Sequence, residues 1–208
     1  MTPGIDMPTK ILLTMPQPGE TITQGTVVSW LVPEGATVSE GDRIVELETE
    51  KAVFAAGCFW GVQYYFDQVP GVLETKVGYI GGHTKNPTYE QVCSHTTGHA
   101  EVTKIIFDPK NVNYETLVKH FFRMHDPTQL NRQGPDVGDQ YRSAIFYTDK
   151  RQKEAAKKIL DELNKTQFDG QIVTTLEPAK KIWPAEEYHQ KYTEKTGLGM
   201  CHVPYTPV

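Results

Sequence analysis

Cys58 sits between a glycine and two aromatic residues, in Gly57-Cys58-Phe59-Trp60-Gly61, directly after the apolar run Ala52-Val53-Phe54-Ala55-Ala56. Such a run reads as a strand, and the glycine after it as a tight turn into a helix starting near Trp60. A cysteine at that point meets unpaired backbone amides and the positive end of the helix dipole. Both stabilise a thiolate, the form that attacks. The competing reading is a buried cysteine acting as a small apolar residue. A nucleophile also needs acid–base partners, and Glu101 is the first candidate. It follows Gly98-His99-Ala100 at the start of an apolar strand, where partial burial suits a carboxyl to act as an acid. Tyr89, His99, Asp136 and Tyr141 lie on loops or strand starts, where functional groups concentrate. Singly, each is more often a packed ring or a solvated charge.

The elements that must position these groups follow from hydrophobic period and turn residues. After the helix through Phe66, Pro70-Gly71 marks a turn and Val72 to Tyr79 alternates as a strand before Gly81-Gly82. Residues 83 to 98 are polar and turn-rich and predict a long functional loop. Ala100 to Phe107 alternates as a strand ended by Asp108-Pro109. Tyr114, Leu117, Val118, Phe121 and Phe122 recur at helical spacing behind Asn113, which predicts a capped amphipathic helix over 114–125. A second loop spans Asp126 to Gln140, then come a strand over Ser143–Tyr147 and a helix around Ala155 to Leu163. A last strand over Gln171–Leu176 and a short helix over Glu186–Tyr192 complete the series. Strands interleaved with single helices in this order predict an α+β domain, a two-layer sandwich built on βαβ units.

The first quarter of the chain has a different character. Residues 1–50 carry Lys10 and Arg43 against eight acids, a net charge of −6, while the remaining residues sum to +1. Short apolar stretches at Ile11-Leu12-Leu13, Val27 to Val32, Ala36-Thr37-Val38 and Ile44 to Leu47 alternate with Gly and Pro and predict a small all-β unit. Two domains are therefore expected, 1–50 and 51–208. No basic stripe argues for nucleic acid. No apolar run approaches the roughly 20 residues of a membrane span, and Met1 to Lys10 lacks a signal-peptide pattern, so a cytoplasmic location is expected. Three cysteines, Cys58, Cys93 and Cys201, are too scattered for a secreted disulfide framework. They and seven histidines show no metal-ligand spacing beyond Cys93-Ser94-His95 and Cys201-His202, so no metal is expected.

Two resemblances extend this reading. Gly57 to Gly61, Asn86-Pro87-Thr88-Tyr89, Val92-Cys93-Ser94, Thr97 to Glu101, His125-Asp126-Pro127-Thr128, Asp136 to Ile145 and Tyr188 to Tyr192 resemble, in order, the class A peptide methionine sulfoxide reductases over residues 51–203. That resemblance implies a fold of ferredoxin-like type and a thiol-dependent reduction of methionine S-sulfoxide, free or peptide-bound. Cys58 would attack the sulfur, Glu101 supply a proton to the oxygen, and Tyr89 and Tyr141 hydrogen-bond that oxygen. Phe59 and Trp60 would hold the methyl group, with Asp136 in the substrate-binding network. Gly199-Met200-Cys201-His202 resembles the family's resolving position, which implies a Cys58–Cys201 disulfide reduced by thioredoxin or a similar dithiol, with no other cofactor. Cys93 is read as structural or accessory.

Gly19 to Thr26, Trp30-Leu31, Glu34 to Val38, Gly41-Asp42 and Glu46 to Ala52 resemble the N-terminal half of a lipoyl domain, a half barrel-sandwich. In that family the matching lysine, here Lys51, sits on a hairpin tip and carries lipoate; here it is equally the lead-in to the next domain's first strand. Half a module leaves strand edges uncovered, which favours pairing with a second copy in a homodimer. A carrier module whose lipoate serves a neighbouring reductase site is the alternative function.

Overall fold

The apolar run before Cys58 is the middle of a sheet. The computed structural model describes residues 27–39, 42–47, 49–200 and 203. Cys201 and the stretch Ile11-Leu12-Leu13 lie outside the described residues. The strands are β1 (Val27–Trp30), β2 (Val45–Leu47), β3 (Glu50–Ala56), β4 (Val72–Ile80), β5 (Ala100–Phe107), β6 (Arg132–Gln133), β7 (Asp136–Val137), β8 (Ser143–Tyr147), β9 (Thr175–Pro178) and β10 (Trp183–Pro184). The helices are α1 (Phe59–Asp67), α2 (Tyr89–Cys93), α3 (Tyr114–Met124), α4 (Lys150–Thr166) and α5 (Tyr192–Thr196).

Six strands form one mixed sheet in the order β10-β4-β5-β3-β8-β9. All neighbours are antiparallel except β8 and β9, which run parallel. The fold is therefore α+β. Because strand side chains alternate between faces, β3 splits its apolar residues between two cores. Ala52, Phe54 and Ala56 face the core shared with α1, α3 and α4, while Val53 and Ala55 join Ile80, Val102 and Phe146 on the other face. Phe54 stacks on Phe66 of α1 at 5.5 Å and meets Phe121 of α3 at 5.3 Å, so both helices are pinned to β3 by one ring. The Asn113 side chain accepts from Thr116 N at the start of α3, as its sequence predicts.

The antiparallel register decides where functional groups gather. Tyr79 faces Glu101 across β4 and β5, and Ala56 faces Ser143 across β3 and β8. The ends of β3 and β4 and the starts of β5 and β8 therefore lie along one edge of the sheet. Residues just beyond those ends, Cys58 after β3 and Tyr141 before β8, fall into one neighbourhood although far apart in sequence.

Four expectations for residues 83–192 are corrected. The loop expected over 83–98 contains α2, closed at its start by a capping box between Thr88 and Gln91. The loop over 126–140 contains the two-residue ladder β6–β7. The last strand begins at Thr175, not Gln171, because Ile172 N and Val173 N are taken by Asn164 Oδ1 and Pro127 O before pairing with β8 can start. The helix expected over 186–192 is a 3₁₀ turn, Glu187–His189, followed by α5, because Lys191 lies in the left-handed region at φ 55° and breaks helical propagation.

In the N-terminal segment β1 and β2 pair antiparallel, and Leu31 N extends the ladder to Ile44 O. Ala36-Thr37-Val38 is not a strand. Lys51 is not on a hairpin tip. It lies in β3, paired with Ile106, and its carbonyl accepts from Gln152 Nε2 at 2.6 Å. Among the described residues no helix is long and apolar enough to cross a membrane.

Candidate active site

β3 ends at Ala56, and the chain turns at Gly57, whose φ of +89° is a conformation that a side chain would strain. That turn delivers Cys58 to the N-cap of α1 with its thiol largely buried, 7% exposed. Cys58 makes no side-chain capping bond. The thiol stands at the positive end of a nine-residue helix, where a developing thiolate is favoured.

The first amide of α1 is taken by the acid candidate. Glu101 Oε2 accepts from Phe59 N at 3.1 Å, and Glu101 is 1% exposed. As the second residue of β5 it shares a face with Thr103, Ile105 and Phe107, under the helices. One hydrogen bond thus ties the carboxyl to the residue that follows the thiol.

Tyr89 opens α2 and Tyr141 ends a 3₁₀ turn just before β8, and both phenols lie in the field of Glu101. Burial and the nearby Glu101 push both pKa values far above the ordinary phenol value, so both remain proton donors. The charges of Asp136, Cys93 and Cys58 also raise the Tyr141 pKa. The Tyr89 phenol bonds the Cys93 thiol one helical turn along α2, and burial raises the Cys93 pKa. Burial also raises the Asp136 pKa, and among the described residues its buried Oδ2 has no hydrogen-bond partner. A buried carboxyl oxygen left open beside a phenol is suited to receive a polar group of a ligand.

An apolar wall completes the site. Phe59 is buried against Tyr79 at 5.9 Å, and Trp60 stacks flat on Tyr192 at 3.9 Å. Trp60 Nε1 donates to His189 Nδ1 at 2.9 Å. His189 is fully buried, and burial lowers its pKa against a smaller opposing pull from Glu186. The ring is therefore neutral at pH 7, with Nδ1 accepting and the proton on Nε2. The indole is held on its face by Tyr192 and on its edge by His189, leaving one orientation.

Phe59, Trp60, Tyr89, Glu101, Asp136 and Tyr141 are all brought to Cys58 or to one another. His99 turns to the loop after β4 and staples it: its Nδ1 accepts from Gly82 N at 3.1 Å and its Nε2 donates to Thr84 O at 2.8 Å. Lys51 is at the far end of β3 from Cys58. The described residues hold no group of histidines, cysteines and acids able to bind a metal. Cys201 lies outside the described residues, but Met200 O and Val203 Cγ2 stand 2.8 and 3.0 Å from where a Cβ on Gly61 would be. The C-terminal chain thus crosses α1 three residues from Cys58, at a point only glycine leaves open. Tyr79, Glu186, His189 and Tyr192 also build the site through long-range contacts that no local sequence signal announces.

Residues 50–208 match the family model for peptide methionine sulfoxide reductase, and residues 12–55 match a biotin/lipoyl model described as biotin-requiring enzyme. The reductase MsrA of Methanosarcina acetivorans is 56% identical over 72% of this chain and 80% of its own length. That of Methanosarcina mazei is 48% identical over 91% of this chain and 90% of its own length, so its similarity includes the N-terminal segment. Reduced Mxr1 from Saccharomyces cerevisiae superposes with a TM-score of 0.69 at 35% identity, covering 73% of this chain and 87% of that one. Mxr1 in complex with Trx2 shares the fold at a TM-score of 0.51 and 24% identity, covering 76% and 91%. With a cysteine at a helix N-cap, a buried carboxyl, two phenols and an aromatic wall on one sheet edge, the chain belongs to the peptide methionine sulfoxide reductase A family.

Proposed function

We propose that this chain reduces the S epimer of methionine sulfoxide, free or in oxidised proteins, with Cys58 as nucleophile and Glu101 as proton donor. The observation that carries the reading is the hydrogen bond from Phe59 N to Glu101 Oε2, which fixes an acid beside the thiol at the helix N-terminus. The Cys58 thiolate attacks the sulfoxide sulfur while Glu101 gives its proton to the oxygen, and Tyr89 and Tyr141 donate hydrogen bonds to that oxygen. The attack joins the two sulfurs transiently. The protonated oxygen then passes to the Cys58 sulfur as the S–O bond to the substrate and the sulfur–sulfur bond break. Methionine leaves with its sulfur reduced, and Cys58 is left as a sulfenic acid. The Cys201 thiol then condenses with it, releasing water and forming a disulfide. A dithiol reductant of the thioredoxin class returns both thiols. The close approach of Met200 and Val203 to Gly61 supports Cys201 as the resolving thiol.

The substrate methyl group fits the apolar wall of Phe59 and Trp60, with Asp136 holding a polar group of the substrate backbone. This handed arrangement, methyl on one side and phenols on the other, discriminates the two sulfoxide epimers. With dithiothreitol as reductant, turnover of separated epimers is expected to consume the S form and leave the R form untouched. Equal consumption of both would overturn the reading.

Residues 51–208 form the catalytic domain in this reading, with β3-α1-β4-β5-α3-β8 as a ferredoxin-like core. Residues 1–50 are a partial lipoyl-like module whose exposed Val27, Trp30, Leu31 and Val38 suit pairing with the same segment of a second copy. The position of Lys51 within a paired strand favours a structural lysine over a lipoate carrier.

A further inference from the structure

Glu186 lies outside the catalytic constellation, on the segment just before His189, yet its two oxygens reach both walls of the site. Oε1 accepts from Tyr89 N at 2.8 Å, and Oε2 accepts from the Tyr79 phenol at 2.9 Å. Tyr89 is the first residue of α2, so this amide is one a helix leaves without a partner of its own. Tyr79 is fully buried and packs on Phe59. Three residues along, His189 accepts from the Trp60 indole and lies 4.4 Å from the Tyr89 ring. Burial alone would raise the Glu186 pKa, but hydrogen bonds from Tyr89 N, its own backbone N–H and the Tyr79 phenol outweigh it, so the group is held ionised. α2 itself is only five residues long and has one buried residue, Val92, too little to fix its orientation by packing.

We infer that Glu186 is the positioning residue that sets Tyr89, by anchoring the N-terminus of α2 to β4 and to the segment carrying His189. The inference rests on the proposed role of the Tyr89 phenol and extends it. The oxygen-binding side and the methyl-binding side of the pocket sit on different elements, and one carboxylate couples them. Without it, α2 keeps its capping box but loses its tie to the sheet, and the phenol moves away from the oxygen. Glu186 touches no reacting atom and also reaches Tyr79, so the experiment must isolate the part of its effect that passes through Tyr89.

The test is a double-mutant cycle on the full chain, reading kcat and KM for methionine S-sulfoxide with dithiothreitol. Tyr89→Phe is expected to lower kcat on the order of tenfold, the worth of one hydrogen bond to a charged oxygen. Glu186→Ala should lower kcat by a similar factor, and the double variant should be no slower than the slower single one. Glu186→Gln keeps a carbonyl for Tyr89 N, and its amide can donate to the Tyr79 oxygen, so it should recover most of the kcat lost in Glu186→Ala. Losses that multiply in the double variant overturn the inference, as does a Glu186→Gln protein no better than Glu186→Ala. A normal kcat in Tyr89→Phe alone would instead refute the role of the phenol itself, and the inference with it.

Discussion

Glu101→Gln is expected to lower kcat by roughly 10²- to 10⁴-fold, the usual contribution of a positioned proton donor, with little change in folding stability. Glutamine has the shape of the protonated acid, and its carbonyl can still accept from Phe59 N, as Glu101 Oε2 does at 3.1 Å. Phe59 and Trp60 therefore keep their places, and substrate binding should survive. What the amide lacks is a proton it can release as the S–O bond breaks. KM near the wild-type value with a collapsed kcat is the expected signature, because the interaction removed operates only in the transition state. A kcat within a few-fold of wild type would mean that the oxygen takes its proton from elsewhere, with the Tyr89 and Tyr141 phenols the first candidates.

Cys58→Ser should abolish turnover, by roughly four orders of magnitude or down to the background of dithiothreitol alone. The substitution is informative because it does not threaten the fold. Cys58 occupies an N-cap without making a capping hydrogen bond, and serine is among the best N-cap residues. The variant should melt at the same temperature as wild type or slightly higher. Loss of activity in a protein at least as stable separates chemistry from structure, which a core substitution could not do. Unchanged turnover would refute the assigned nucleophile.

Much of this site could be read from the sequence because its parts are local. A strand ending in Gly57 and a helix beginning beside Cys58 are written in one ten-residue stretch, and β5, with Glu101 near its start, has the residue range its alternation predicts. Asn113 announces α3 in the same way. What stayed hidden depends on contacts made over long distances in sequence. No period in Tyr188 to Tyr192 says that His189 bonds an indole 129 residues away, or that Glu186 bonds an amide 97 residues away. α2 is not legible in the sequence because five residues are too few to show a period. The strand at Thr175 was placed four residues early because Gln171 to Thr174 has strand-like residues whose backbone groups are claimed by loops. Lys51 shows the same limit from the other side. The resemblance to a lipoyl domain runs into β3, as does the family match over residues 12–55, yet Glu50 to Ala56 pairs with β5 and β8, because burial between two cores outweighs a local motif.

The central claim is that Cys58 takes the sulfoxide oxygen and passes its oxidation to Cys201. A single turnover of methionine S-sulfoxide by fully reduced protein, without reductant, followed by peptide mapping, tests it directly. The account predicts one equivalent of methionine per chain and a Cys58–Cys201 disulfide, with Cys93 remaining a thiol. Methionine formed while Cys58 stays a reduced thiol, or Cys58 found linked to Cys93, would contradict it.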